Sequence, residues 1–298
     1  MEQWPRTPPR KILLATDLGA RSDRALDRAA QLARQWNSRL LVVHALERQS
    51  VSSGWAQPDE TPSWRRPPDP ARAIEQQIRH DLQEEVADLE ICIQEGEPAE
   101  VVLEAAEREK ADLVIVGAPR GQVLGRTLLG NTIENLVRRA PVSVLVVKNR
   151  PRGPYRHVLV GTDFSEESRH GLRVGAALLP DASFALMHAF EMPYRSLSLM
   201  QNTRLGQDFS AMETDTIRSF LAETGLPADV EARIRPMIEH GSPERMLSKY
   251  VAERDADLTV IGAYSRSLTF HLIIGGTARR IVHAVPSDVL VVRAPRTD

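Results

Sequence analysis

Short apolar runs alternate along the chain with longer stretches whose apolar residues recur every three or four positions. In the first half the strand-like runs are Ile12–Ala15, Leu40–Ala45, Leu89–Gln94, Leu113–Gly117 and Val142–Val147. Between the first two, Ala25, Leu26, Ala29, Ala30, Leu32 and Ala33 form one apolar stripe that predicts a helix through about Trp36, with Ser22 as its N-cap. Further helices are predicted over Ala71–Ala87, over Ala99–Glu109 behind Pro98, and over Gly130–Arg139. Gln49–Pro70 is rich in Ser, Pro and Trp and reads as loop. Apolar strands separated by helices predict a parallel sheet covered on both faces.

The same plan is written twice. Lys11-Ile-Leu-Leu-Ala-Thr-Asp17 returns as His157-Val-Leu-Val-Gly-Thr-Asp163, and Leu40–His44 returns as Phe184–His188. Glu95–Glu100 matches His240–Arg245, Ala111–Ala118 matches Ala256–Ala263, and Pro141–Val147 matches Pro286–Val292. Five blocks in one order at offsets of 144 to 146 residues make this a duplicated domain. The joint falls at Asn149-Arg-Pro-Arg-Gly-Pro154, where Pro and Gly interrupt regular structure. The expected fold is α/β, with domains over 1–150 and 151–298. Each is a Rossmann-like unit with an open five-stranded parallel sheet and helices on both faces.

In an open parallel sheet, ligands sit beyond the carboxyl ends of the strands, where strand order reverses. Strand 1 ends at Thr16-Asp17 in one half and Thr162-Asp163 in the other. Strand 4 ends at Gly117 and at Gly262, each followed by a loop that reaches Gly130 or Gly275 at a helix start. A glycine loop feeding a helix N-terminus presents free backbone N–H groups and the positive end of the helix dipole, which suits phosphate. The competing explanation is that these glycines only make tight turns. The Asp at the end of strand 1 in both copies favours a pocket.

The order of these blocks resembles the universal stress protein family, and the resemblance covers essentially the whole chain twice. ATP-binding members carry Gly-x2-Gly-x9-Gly-[Ser/Thr] after strand 4. The first half reads Gly117-Ala-Pro-Arg120, nine residues, then Gly130-Asn131-Thr132; the second reads Gly262-Ala-Tyr-Ser265, nine residues, then Gly275-Gly276-Thr277. The resemblance implies an adenine nucleotide, ATP or a relative, with or without Mg2+. It implies that Asp17 and Asp163 face the nucleoside and that Ala45 and Ala189 offer backbone groups to the base. Val116 and Ile261 would line the base pocket. Gly130, Asn131 and Thr132, with Gly275, Gly276 and Thr277, would cradle phosphates. The spacing is kept, but Arg120 and Ser265 replace the second glycine, and Asn131 and Gly276 replace the Ser/Thr. Arg120 either blocks the approach of a ligand to the backbone or supplies a cation for phosphate.

The resemblance implies a stress-response or signalling protein that binds a nucleotide with slow or no hydrolysis, hence not an enzyme. The alternatives are a nucleotide-free interaction module of the same fold and, more remotely, an enzyme of the adenine nucleotide α-hydrolase group. It also implies that the apolar edge strands Val144–Val147 and Val289–Val292 pair with each other as an intrachain pseudo-dimer. A homodimer of chains would be a further assembly.

The remaining features narrow the class. The net charge of -2 gives no electrostatic reason to expect nucleic acid or an anionic membrane. No apolar run approaches the roughly 18 residues that span a bilayer, and the opening Met1-Glu-Gln-Trp-Pro-Arg has no signal-peptide core, so a cytoplasmic protein is expected. The single cysteine, Cys92, excludes an intrachain disulfide and reads as a small buried hydrophobe in strand 3. His44 and His188 read as satisfied, partly buried residues. No histidine pattern points to a metal, and neither a Gly-x-Ser-x-Gly elbow nor a Gly-x4-Gly-Lys-[Ser/Thr] loop is present. Arg138-Arg139 and Arg279-Arg280 read as solvated helix ends.

Overall fold

The computed structural model describes residues 8–19, 22–46, 69–82, 86–118, 122–123, 126–127, 129–191, 215–263 and 275–293, without the side chains of residues 122–127. The first half runs β1 (Lys11–Thr16), α1 (Asp23–Trp36), β2 (Arg39–Leu46), α2 (Pro70–Leu82), β3 (Leu89–Glu95), α3 (Pro98–Arg108), β4 (Leu113–Gly117), a short antiparallel pair β5 (Gln122–Val123) and β6 (Arg126–Thr127), α4 (Asn131–Arg139) and β7 (Ser143–Val147). The second half runs β8 (His157–Thr162), α5 (Glu166–Leu178), β9 (Ser183–Phe190), α6 over 215–224, α7 (Ala228–Glu231), β10 (Ile234–His240), α8 (Pro243–Arg254), β11 (Leu258–Gly262), α9 (Gly276–Ala284) and β12 (Asp288–Val292).

Each half contributes five parallel strands, as the duplicated pattern requires. The two sets join into one ten-stranded sheet in the order β10-β9-β8-β11-β12-β7-β4-β1-β2-β3. Within each half the order reverses between the first and fourth strands, β1/β4 and β8/β11. Alternate residues of each strand feed separate cores on the two faces. Ile12, Leu14, Leu40 and Val42 pack on one side. Leu13, Ala15, Leu41 and Val43 pack on the other. The outer strands carry their own protection against edge pairing: Glu90, Gln94 and Glu95 on β3, and Arg235, Pro236 and Glu239 on β10.

The strand-5 pairing expected from the resemblance is present. β7 and β12 run antiparallel, with Val146 opposite Val289, Leu145 opposite Leu290 and Val144 opposite Val291. Leu145 and Leu290 are each other's repeat counterparts, so a pseudo-twofold axis passes through that pair. The edge that the resemblance assigns to dimerisation is therefore consumed inside one chain.

Polar contacts repeat across the same axis. Lys148, just past β7, donates from Nζ to the carbonyls of Val282 and Val285 at the end of α9, at 2.6 Å each. Its counterpart Arg293, just past β12, donates to Val137 and Arg138 at the end of α4. Each half thus supplies the cation that satisfies the other half's helix C-terminus. Burial pushes the Lys148 ammonium down to about 8, opposed by Asp288, and pushes Arg293 down to about 10. Asp288 accepts from the amides of Lys148 and Asn149 and from the Tyr155 hydroxyl. Arg28 lies 3.7 Å from the Asp288 carboxylate and stacks 4.0 Å over the Tyr155 ring. Ser143 holds the Asp288 position in the first half and accepts from the Arg293 amide.

Several local expectations need correcting. Ser22 occupies the N-cap position of α1 but makes no side-chain cap there; its hydroxyl is committed to Asp17 instead. The second helix does not run to Ala87: residues 83–85 lie outside the described residues, and 86–88 already turn into β3. Cys92 is half-buried, not enclosed, because β3 is an edge strand; its Sγ receives Arg108 at 3.5 Å. The two arginine pairs are exposed as expected, and three of the four also form surface ion pairs: Arg139 with Glu100, Arg279 with Glu134 across the halves, and Arg280 with Glu244. Residues 49–68 of the predicted loop lie outside the described residues. Pro98 opens α3 as expected, and the Glu97 side chain caps it by accepting from Glu100 N at 2.9 Å.

Candidate functional site

Strand order reverses at β1/β4 and β8/β11, and a cleft opens at the carboxyl end of each pair. The turn after β1 is fixed by its own side chains. Thr16 Oγ1 accepts from Leu18 N, and Asp17 Oδ1 accepts from Gly19 N and from the Ser22 hydroxyl at 2.6 Å. Leu18 is driven to φ 57°, in the left-handed region that costs a branched residue free energy. The second half repeats the device. Thr162 Oγ1 accepts from Phe164 N, Asp163 Oδ1 accepts from Ser165 N and Oγ, and Phe164 sits at φ 63°. A strained turn kept in both copies holds an exposed carboxylate at the mouth of each cleft.

The histidines that follow are structural in the same way. His44 Nδ1 lies 2.9 Å from the Thr16 carbonyl, and His188 Nδ1 lies 2.8 Å from that of Thr162. A carbonyl only accepts, so Nδ1 carries the proton and each ring ties strand 2 to the Asp turn. Among the described residues no group of three or more His, Cys, Asp or Glu side chains is arranged to hold a metal.

The glycines divide into two jobs. A Cβ on Gly262 would lie 2.3 Å from the carbonyl oxygen of Glu167, so this glycine exists to let α5 press against β11. Gly130 is different: at φ -66° it has no conformational need to be glycine, and a Cβ there would meet nothing within 4 Å. Gly130 and Gly275 both occupy N-cap positions without a side-chain cap. Among the described residues the first-turn N–H groups of α4 and α9 have no side-chain cap and are open to another acceptor.

The first cleft, about 470 Å³, brings together Thr16, Asp17, Ala45, Val116, Gly117, Gly130 and Thr132. Ala15, Val43, His44, Pro98, Val102 and Ile133 also line its wall. The second, about 260 Å³, brings together Thr162, Asp163, Ala189, Ile261, Gly262, Gly275, Gly276 and Thr277, with Met187, Pro243 and Leu247. Asn131 is not among the residues lining the first cleft. It lines a groove of about 330 Å³ between α4 and α9, beside Glu134, Arg279 and His283. Arg120 and Ser265, the two replaced loop glycines, lie outside the described residues.

Sequence reasoning missed several supports. Ser22 and Ser168 stand at equivalent positions in the two clefts, and Ser168 Oγ bonds Thr162 Oγ1 at 2.9 Å. Arg24, buried in α1, donates to the carbonyls of Ala118 and Lys148 and so anchors the start of the loop that follows β4. Nothing local in the sequence marks Arg24, because its acceptors are about a hundred residues away.

Comparison with known proteins follows the same two halves. The sequence profile described as "Universal stress protein family" matches residues 9–148 and again 154–293. Stress response protein NhaX of Bacillus subtilis is 29% identical over 46% of this chain and 97% of its own length. A universal stress protein of Thermus aquaticus is 32% identical over 46% of this chain and 97% of its own. Among solved structures, a putative universal stress protein of Pseudomonas aeruginosa covers 96% of this chain and 94% of its own at 22% identity, with a TM-score of 0.67. One from Archaeoglobus fulgidus covers 95% and 98% at 18% identity, with a TM-score of 0.66. At those identities the structural matches speak to the fold.

Proposed function

Because the chain belongs to the universal stress protein family, carrying its domain twice, we propose that it acts in stress response by binding an adenine nucleotide, ATP or a relative, in the cleft beyond β1 and β4. The observation that carries this reading is the convergence on one 470 Å³ cleft of an exposed Asp, an apolar wall and an uncapped helix start. Its volume lies within the range of small-molecule sites. Val43, Val102 and Val116 offer the base an apolar surface. Asp17 accepts from ribose hydroxyls. The first N–H groups of α4 and the Thr132 hydroxyl receive phosphate. With no carboxylate cluster at hand among the described residues, a Mg2+ ion would be held mainly by the phosphates themselves.

The proposed role is binding without fast hydrolysis. The Asp17 carboxylate already accepts from Gly19 and Ser22, which suits a fixed acceptor better than a proton carrier. A nucleotide-free interaction module draws its support from the replaced loop glycines. Calorimetric titration with ATP and AMP decides between the two: heat of binding is expected, and none from a chain with intact circular dichroism would sink the nucleotide reading. Asp17→Ala is expected to weaken ATP binding roughly 10- to 100-fold, the value of one charge-assisted hydrogen bond. Unchanged affinity in that variant would contradict the assignment of Asp17.

A further inference from the structure

We propose that the two clefts are not equivalent: the N-terminal half takes the nucleotide, and the C-terminal cleft is closed to it by Leu247 and Met187. The inference rests on the nucleotide reading above and adds the stoichiometry of one nucleotide per chain.

The repeat makes the comparison residue by residue. Val43 of the first wall is Met187 in the second, and Val102 is Leu247. Val116 is Ile261. These three changes add bulk on the strand and α8 side of the wall, while Ala15 to Gly161 and Ile133 to Ala278 remove it elsewhere, so the smaller cleft comes from where Met187 and Leu247 lie and not from summed side-chain volume. Leu247 is 1% exposed, and its Cδ2 would lie only 3.1 Å from a Cβ built on Gly161. Ala15 holds that position in the first half and carries the methyl group. The second half has therefore given up a methyl on its first strand and placed the Leu247 side chain over the gap. The space left is about 260 Å³ against about 470 Å³ in the first half. It sits at the lower edge of the range of ordinary small-molecule sites, whereas the first cleft lies well inside it. The strained Asp turn survives at Asp163, so the second cleft keeps its rim and has lost its floor space.

The test is the number of ATP molecules bound per full-length chain, by calorimetry with equilibrium dialysis as a check. The parent is expected to bind one, and Asp17→Ala to lose it by at least tenfold in affinity. The Met187→Val, Leu247→Val double variant is expected to bind two, and to keep one when Asp17→Ala is added. Single Leu247→Val and thermal unfolding guard against a double variant that fails to fold. Two molecules bound by the parent would overturn the inference while leaving the nucleotide reading intact, as would one molecule bound unchanged by Asp17→Ala. A double variant that folds and still binds one would overturn the assignment to Met187 and Leu247. Binding by none of the variants or the parent would remove the nucleotide reading itself.

Discussion

Replacing Asp288 by alanine is expected to lower the stability of the protein by about 3–5 kcal/mol, the usual cost of breaking a buried ionic cluster from one side. Asp288 is 0% exposed and is the common acceptor for the Lys148 and Asn149 amides and the Tyr155 hydroxyl. Burial drives its carboxyl above the ordinary range, and the Tyr155 hydroxyl, the Lys148 and Asn149 amides and Arg28 pull it back. Removing it strands the buried Lys148 amide and Tyr155 hydroxyl together with the part-buried Asn149 amide, and leaves Arg28 without its counter-charge. Asp288→Asn keeps one oxygen and is expected to lose clearly less. Because Asp288 belongs to β12 and its partners follow β7, the alanine variant should also loosen one half from the other. Urea unfolding followed by circular dichroism measures the first effect. Limited proteolysis at the 149–154 joint measures the second. An alanine variant within 1 kcal/mol of the parent would contradict this account of the joint.

Gly262→Ala is expected to be the next most damaging change, with about 1–3 kcal/mol lost, the range for overpacking. Its added methyl meets backbone on every near side, the Glu167 carbonyl at 2.3 Å and Ser168 N at 2.7 Å. Backbone does not rotate away as a side-chain end would, so α5 must shift off β11. Gly171 of α5, whose own Cβ would come within 3.3 Å of Gly262 N, leaves no slack in that contact. Gly130→Ala, by contrast, is expected to unfold at nearly the parent temperature, since a Cβ there meets nothing. Thermal denaturation of the two variants side by side separates the packing glycine from the cleft glycine.

Most of the fold was legible because it is written twice. Ten strands, their parallel pairing within each half and the meeting of β7 with β12 followed from repeat blocks, apolar runs and the family resemblance. The Asp turns were legible for the same reason. Other features depend on distant partners and leave no local trace. Asp288 occupies an aligned block opposite Ser143, but its acceptor role depends on groups 133 to 140 residues away. Ser22 looked like a helix cap because capping is the commonest use of such a serine, yet Asp17 captured its hydroxyl. Motif position places Asn131 at the phosphate end of the first cleft but does not tell that it lines the groove beside α9. Gly262 sits at the head of the glycine-spaced loop, and its packing duty is invisible in sequence because the Glu167 carbonyl that presses on it lies about 95 residues away.

Amide hydrogen exchange with and without saturating ATP tests the central claim most directly. The account predicts slowed exchange in the Asp turn at residues 17–19 and at the start of α4, residues 131–133, with little change at the matching residues 163–165 and 276–278. Exchange unchanged by ATP throughout the first cleft, or slowed only at sites away from both clefts, would contradict it.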